Sequence, residues 1–209
     1  ETITVITPDF TVDDDSQCLN GNTFNFQNTG TSGATVTHFW DFGDGNSSTD
    51  ENPSYTYTAA GVFTVEHQVI YTAANCTASA TGIMNVYEDP TAVITVVQDI
   101  SCAGGANGEL TASTVTGTAP FGYTWTPTSQ TTATISGLDE GTYNVIITDD
   151  NGCSSSASET LIQSDTELPI ALCQNAVVQL ETDGSAAIVA TLVDNGSSDN
   201  CGIASLVVS

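Results

Sequence analysis

The stretch Trp40-Asp41-Phe42-Gly43-Asp44-Gly45 indicates the fold of the first part of the chain. It ends an alternating run that begins at Val36, and a period of two residues is typical of a β-strand. The two glycines and the second carboxylate that follow are turn-forming residues. The pattern predicts a strand that places Trp40 in a sandwich core and leaves Asp41 and Asp44 in a loop at its end.

The composition is strongly acidic. The chain has 209 residues with 25 Asp plus Glu and no Lys or Arg, which gives a formal net charge of −25. The carboxylates must therefore be solvated, hydrogen-bonded or neutralised by cations, since only His38 or His67 could offer a side-chain ion pair. Nucleic acids and anionic membrane surfaces are bound through basic residues, so we expect no nucleic-acid partner. No apolar run is long enough to span a bilayer, and we expect no direct membrane insertion.

The residues behind the acidic turn extend the pattern. Pro53 lies eight residues past Gly45, and it is followed by Tyr57, Gly61, Phe63 and Val65. The whole pattern, W-D-F-G-D-G…N-P…Y…G-x-F-x-V, resembles the PKD domain of extracellular proteins. This resemblance implies an immunoglobulin-like β-sandwich over residues 1–88.

A second module follows, with a glycine-rich turn after Cys102 and an aromatic strand of Phe121, Tyr123 and Trp125. Its pattern, C-x-G-x-x-x-G-x-L…P-F-x-Y-x-W…G-T-Y-x-V…D-x-N-G-C, resembles the SprB repeat of giant gliding-motility adhesins of Bacteroidetes type. The resemblance implies a second sandwich, which we place at residues 89–163. Because the three aromatic residues alternate, they share one face, which favours core packing over a sugar-stacking platform.

The last part of the chain, residues 164–209, has a D-x-x-x-P-x-x-x-C opening and a D-N-G-S-S-D-N-C-G loop. These features resemble HYR-like β-sandwich modules. We expect strands at 177–180 and 187–189, and we expect the module to be incomplete because it is short for a sandwich. The chain is interpreted as an internal piece of a longer protein.

Six cysteines fall two to each module. Six cysteines allow 15 pairings, and the division into modules favours one pairing within each. Disulfides imply an oxidising, extracellular compartment. The favoured bonds are Cys18–Cys76, Cys102–Cys153 and Cys173–Cys201.

Acidic loops are the strongest chemical signal, because Ca²⁺ is bound by oxygens of Asp, Asn and backbone carbonyls. One candidate site is Asp41 with Asp44, for which the alternative is that each Asp caps its own turn. Some PKD-like domains bind Ca²⁺ at this end of the sandwich, so the resemblance supports the site. A second candidate combines Asp165 with residues of the late loop, which are Asp194, Asp199 and Asn200. The predicted cofactor is therefore structural Ca²⁺.

His38 and His67 are both expected on inward faces of neighbouring strands. A two-histidine metal site is conceivable there. The interpretation that we favour is two partly buried residues at the edge of the core, which fill space and form local hydrogen bonds.

No constellation of catalytic residues stands out. Both histidines lie in strand patterns, and nothing marks a pair among the 25 acids for glycoside cleavage. We therefore predict a non-catalytic protein with an all-β fold, built as tandem immunoglobulin-like β-sandwich domains in an elongated array.

The resemblances imply a role outside the cell. They indicate a structural or adhesive segment of a large secreted cell-surface adhesin, used in gliding motility or surface attachment and delivered by type IX secretion. The expected partners are a surface polysaccharide or other extracellular ligand, bound through the full-length protein, and the secretion and motility machinery. Two alternatives are a carbohydrate-binding module and an accessory region of a secreted hydrolase.

Overall fold

The computed structural model describes residues 5–74, 76–102, 104–165, 167–203 and 205–207. Alternating sequence becomes strand throughout the first part of the chain, as the pattern around Trp40 predicts. The strands there are β1 (Phe10–Val12), β2 (Ser16–Cys18), β3 (Phe24–Asn28), β4 (Val36–Asp41), β5 (Ser47–Ser48), β6 (Ser54–Tyr55), β7 (Gly61–Tyr71) and β8 (Cys76–Tyr87).

These eight strands form two sheets. One has the order β1-β3-β6, and the other has the order β2-β8-β7-β4-β5. Pairing is antiparallel except between β2 and β8, which run parallel. The inward faces of the two sheets pack together through a largely aromatic core of Phe24, Phe26, Trp40, Phe42, Tyr57, Val65, Met84 and Val86.

Two further three-stranded sheets follow. One has the order β12-β10-β9, from strands β9 (Ala92–Gln98), β10 (Gly108–Thr114) and β12 (Thr134–Leu138). The other has the order β11-β13-β14, from strands β11 (Gly122–Thr126), β13 (Gly141–Thr148) and β14 (Ser154–Leu161). The side chains of Ile100 and Leu161 pack directly against Gly108, where a Cβ would lie 2.8 and 2.6 Å from their terminal methyl groups.

The structure confirms the all-β, immunoglobulin-like sandwich fold. The chain divides into two compact units whose boundaries cut through strands. Unit 1 combines Glu1–Val93, Thr114–Thr124 and Val145–Ala157, and unit 2 combines Ile94–Ser113, Trp125–Asn144 and Ser158–Ser209. Among the described residues, no helix has the length and apolar character needed to cross a membrane.

The last segment differs from expectation. The strands predicted at 177–180 and 187–189 are absent from the described residues, and the regular element there is a four-residue helix, α1 (Ala190–Val193). Val177 is 96% exposed and Leu180 is 69% exposed. An alternating run becomes a stable strand only when a neighbouring strand and an apolar face support it, and neither covers these residues.

The cysteine pairing also requires correction. The bonds are Cys18–Cys153 and Cys102–Cys201, whereas Cys76 and Cys173 are unpaired and exposed. The pairing predicted from modules assumed that each cysteine bonds inside its own stretch of sequence. In the folded chain, partners are set by proximity, and the bonded residues are 135 and 99 positions apart.

Candidate functional site

The acidic turn after β4 satisfies its own hydrogen bonds. Asp41 Oδ1 accepts from the Gly43 amide at 2.9 Å, and Asp44 Oδ1 accepts from the Asn46 amide at 3.0 Å. The Tyr55 hydroxyl donates to Asp44 Oδ2 at 2.6 Å. Slight burial opposes the charge on Asp44, yet the hydrogen bonds from Tyr55 and Asn46 hold its pKa below the usual 3.8. Both carboxylates thus act as turn caps, which was the alternative to a calcium site.

Close packing fixes the position of this turn. Gly43 has a φ of +79°, and a Cβ there would lie 2.5 Å from the carbonyl oxygen of Thr64. The Phe42 ring stacks on Tyr55 with centroids 3.9 Å apart, and the Phe42 carbonyl accepts from the Tyr57 hydroxyl at 2.8 Å. The turn is therefore held by the aromatic core beneath it.

A second cluster of acidic residues lies in unit 2, between residue 165 and the late loop that the sequence predicts to meet it. Oxygens of Asp165 and Asp199 and the sulfur of Cys201 all lie within 4.8 Å of one another. Cys201 is bonded to Cys102, so its sulfur carries no charge, and the two carboxylates are the groups here that could hold a cation. Asp165 also accepts from the Glu167 amide at 3.1 Å, and Asp199 accepts from the Cys201 amide at 2.8 Å.

The stretches that carry these acids meet through backbone pairing. Ile170 pairs with Ser198, and Cys173 pairs with Asp194, both antiparallel. The predicted Cys173–Cys201 bond is therefore not what brings the stretches together. Asp194 Oδ1 caps its own turn by accepting from the Ser197 amide at 2.9 Å, and hydrogen bonds from Ser197 lower its pKa.

Asp194 and Asn200 lie in the same late loop as Asp199. Asn200 is exposed. Among the described residues, the ligand atoms that lie close together at this loop belong to Asp165, Asp199 and Cys201. The carboxylate of Asp194 is not part of this group. Of the four residues predicted for this site, the structure thus joins two carboxylates into a possible ion-binding pair.

The two histidines form a buried stack on the inner face of the β4–β7 pair. Nδ1 of His38 lies 3.1 Å from Nε2 of His67, and the His67 ring stacks on Trp40 with centroids 3.9 Å apart. His67 is fully buried, and His38 is 8% exposed. Burial and then the neighbouring His38 lower the pKa of His67 below 6.5. The inward placement agrees with the interpretation of the pair as core residues, although His67 is fully buried and not partly buried as expected.

The aromatic strand of the second module does not offer a stacking platform at Trp125. This side chain is fully buried, and its Nε1–H donates to the carbonyl of Thr132 at 2.9 Å. A ring that carries a bound sugar must expose one face to solvent. The carbohydrate-binding alternative therefore lacks its central residue.

Sequence reasoning missed the hydrogen-bonded turns around the Cys18–Cys153 disulfide, which are held by Asp149 and Asp89. We call this arrangement the clasp. Asp149 is buried, and its two carboxylate oxygens accept from the amides of Thr118, Asn151 and Cys153 at 2.9–3.0 Å. These bonds fix Cys153 in the turn between β13 and β14. The D-x-N-G-C spacing is the signal that could have indicated this role, because an Asp at the start of a tight turn commonly caps the amides that follow.

Asp89 completes the clasp. Its Oδ2 accepts from the Asn20 amide at 2.7 Å, and its backbone carbonyl accepts from the Thr116 hydroxyl at 2.7 Å. A carboxylate oxygen of Asp89 and both sulfurs of the Cys18–Cys153 bond lie within 4.8 Å of one another. A metal at this cluster would need thiolates, which a disulfide does not supply, so the arrangement is structural.

Comparison with known proteins gives two family matches. Residues 6–86 match the PKD domain, and residues 94–130 match the SprB repeat. The expected HYR-like resemblance of residues 164–209 gains no support from these matches.

Three similar solved structures show how widely the sequence identity and the coverage vary. The PKD1 domain of Vibrio anguillarum Epp is 28% identical, with 40% of this chain and 94% of that one covered and a TM-score of 0.34. The PKD1 domain of the Vibrio cholerae metalloprotease PrtV is 26% identical, with 40% and 98% covered and a TM-score of 0.34. A C-terminal fragment of intimin, in complex with the intimin-binding domain of its translocated receptor, is 12% identical, with 80% and 67% covered and a TM-score of 0.49.

PKD and SprB domains are typically non-catalytic. With the two disulfides, they support an extracellular or surface location and an adhesion-type or structural role. This chain therefore contains a PKD domain at residues 6–86, followed by a SprB repeat at residues 94–130.

Proposed function

We propose that this chain is a non-catalytic segment of a large secreted cell-surface adhesin, which serves surface attachment or gliding motility. The observation that carries the proposal is the SprB repeat directly behind the PKD domain. Its ligand would be a surface polysaccharide or another extracellular molecule, bound by the full-length protein. Type IX secretion would deliver that protein, and the motility machinery would move it.

Burial of the reactive side chains supports a structural role for this segment. The two histidines are packed against Trp40, and Trp125 is enclosed in the second module. Asp149, the buried acid of the described residues, accepts hydrogen bonds from three backbone amides. A segment of this kind holds a ligand-binding region at a distance from the cell and transmits force to it.

The test is an in-frame deletion of residues 6–163 in the full-length gene of the source bacterium. Surface display of the shortened protein, measured with an antibody to another region, serves as the control. We expect attachment to a solid surface, or gliding speed on it, to fall while display is retained. Normal attachment and gliding by cells that display the shortened protein would contradict the proposal.

We further propose that Ca²⁺ binds between Asp165 and Asp199. Two carboxylates at this separation repel each other by about 1 kcal/mol in water, and the chain has no Lys or Arg to relieve the repulsion. Ca²⁺ prefers oxygen ligands and accepts backbone carbonyls and water for the remaining positions. Asp41 and Asp44 are weaker candidates, because three of their four carboxylate oxygens are already hydrogen-bonded in the turn.

Calcium titration followed by thermal unfolding tests this site. An ion that binds only the folded state at a hundred times its Kd stabilises it by about 2.7 kcal/mol. We expect Ca²⁺ to raise the midpoint of unfolding, EDTA to reverse the shift, and Asp199→Asn to abolish it. Asp183→Asn is the matched control, since Asp183 is an exposed acid that caps only its own turn with Ser185. A midpoint that does not respond to Ca²⁺ in the unmodified protein would rule the site out.

A further inference from the structure

The two disulfides are interleaved along the chain. Cys102 lies inside the loop that the Cys18–Cys153 bond closes, whereas its partner Cys201 lies outside that loop. The bond between Cys18 and Cys153 joins residues 135 positions apart and so forms a covalent shortcut along the chain. The interleaved Cys102–Cys201 bond provides a second, longer route if the first bond is lost.

We propose that this shortcut carries mechanical load past the PKD domain. Tension applied before Cys18 and after Cys201 is borne by the shortest covalent path, because that path becomes taut first. The path crosses the disulfide from Cys18 to Cys153 and then follows the backbone to Cys201. It therefore bypasses every strand from β3 to β13, and of the PKD strands only β1 and β2 stay on the load path.

The clasp fixes the two ends of the Cys18–Cys153 disulfide, through which the tension would pass. Asp149 anchors Cys153 by accepting its amide at 2.9 Å, and Asp89 anchors the turn after Cys18 by accepting the Asn20 amide at 2.7 Å. Thr91 extends this junction, since its hydroxyl lies 2.8 Å from that of Thr116. All these residues belong to unit 1, so the disulfide lies inside a packed unit rather than in a loose linker.

The load path can be expressed as a length. From Cys153 to Cys201 the backbone has about 48 residues, which span about 160–170 Å when fully extended at 3.3–3.6 Å each. Without the Cys18–Cys153 bond, the shortest path runs from Cys18 to Cys102 and then through the other disulfide, about 84 residues or about 280–300 Å. With neither bond, about 183 residues extend to about 600–660 Å.

The two bonds are therefore not equivalent under load. Loss of Cys102–Cys201 leaves the path from Cys18 to Cys201 unchanged, while loss of Cys18–Cys153 lengthens it about 1.8-fold and loss of both lengthens it about 3.8-fold. This property extends the proposed adhesive role by naming the residues that bear tension. It holds for any bound surface, so its failure would leave the attachment experiment unaffected.

Single-molecule force spectroscopy on the full 209-residue chain tests the proposal. Handles are attached at both ends, and all variants carry Cys76→Ser and Cys173→Ser to prevent new pairings. The readout is the maximal extension at high force, after subtraction of handles and of the residues outside Cys18 and Cys201. This quantity depends on covalent connectivity alone, so it stays informative even for a variant that does not fold.

We expect the shortest extension in the background protein and in Cys102→Ser/Cys201→Ser. We expect an extension about 1.8-fold longer in Cys18→Ser/Cys153→Ser and about 3.8-fold longer when all four residues are replaced. A longer extension in Cys102→Ser/Cys201→Ser, or an unchanged one in Cys18→Ser/Cys153→Ser, would overturn the proposal. So would a background protein that extends further than the chain with all six cysteines, because the load would then pass through Cys76 or Cys173.

Discussion

Replacement of Asp149 tests the clasp most directly. Asp149→Ala removes the acceptors of three backbone amides, those of Thr118, Asn151 and Cys153. Hydrogen bonds to a charged group contribute about 1.5–3 kcal/mol each to stability. Cys153 is only 1% exposed, so water cannot replace the acceptor of its amide, whereas the other two amides are more accessible. We therefore expect a loss of about 3 kcal/mol in the free energy of unfolding.

The assay is urea denaturation of the oxidised protein, followed by tryptophan fluorescence. At a slope of about 2 kcal/mol per molar urea, this loss lowers the midpoint by about 1.5 M. Asp149→Asn retains one carbonyl acceptor and places an NH₂ group against an amide donor, so we expect about half the effect. Mass spectrometry without reduction checks that the disulfide has formed in each variant.

Asp150→Ala is the matched control, since Asp150 is the next residue of the same turn and is exposed. Its backbone amide donates to the Thr118 carbonyl, which the substitution leaves intact. We expect a change of less than about 0.5 kcal/mol, as for ordinary surface substitutions. Equal effects of Asp149→Ala and Asp150→Ala would refute the argument that the buried carboxylate organises the turn.

Two further predictions concern the PKD domain. The pKa of His67 in the folded state lies below its unfolded value of 6.5, so the unfolded state binds more protons. The free energy of unfolding should therefore fall as the pH drops below about 6.5. Urea unfolding at pH 7 and pH 5 should show a smaller change in this free energy for His67→Phe than for the unmodified protein, and an equal change would contradict the argument. Gly43→Ala should lower the thermal midpoint more than Gly45→Ala. Both glycines have positive φ, and this conformation costs an alanine about 1–2 kcal/mol at either position. At Gly43 the new Cβ would also meet the Thr64 carbonyl, whereas at Gly45 it would meet nothing within 4 Å. Equal thermal midpoints for the two variants would show that the contact with Thr64 is unimportant.

The site could be predicted only in part. Sequence reasoning placed Asp165 and Asp199 in one candidate site, and the structure brings their carboxylates together. It also included Asp194, whose carboxylate does not belong to the group whose ligand atoms lie within 4.8 Å of one another. All three carboxylates accept from amides of their own turns. The difference arises because residue type identifies the ligands that are available, while the positions of the turns decide which carboxylates meet.

The sequence by itself determined the strands around Trp40 and the presence of a PKD domain and a SprB repeat. Strand β7 covers Gly61–Tyr71 and β4 buries Trp40, because the alternation of side chains along a strand is a local property of the backbone. The tertiary structure alone decided the partner of Cys18. A disulfide joins residues that folding brings close together, and a separation of 135 positions leaves no trace in sequence spacing.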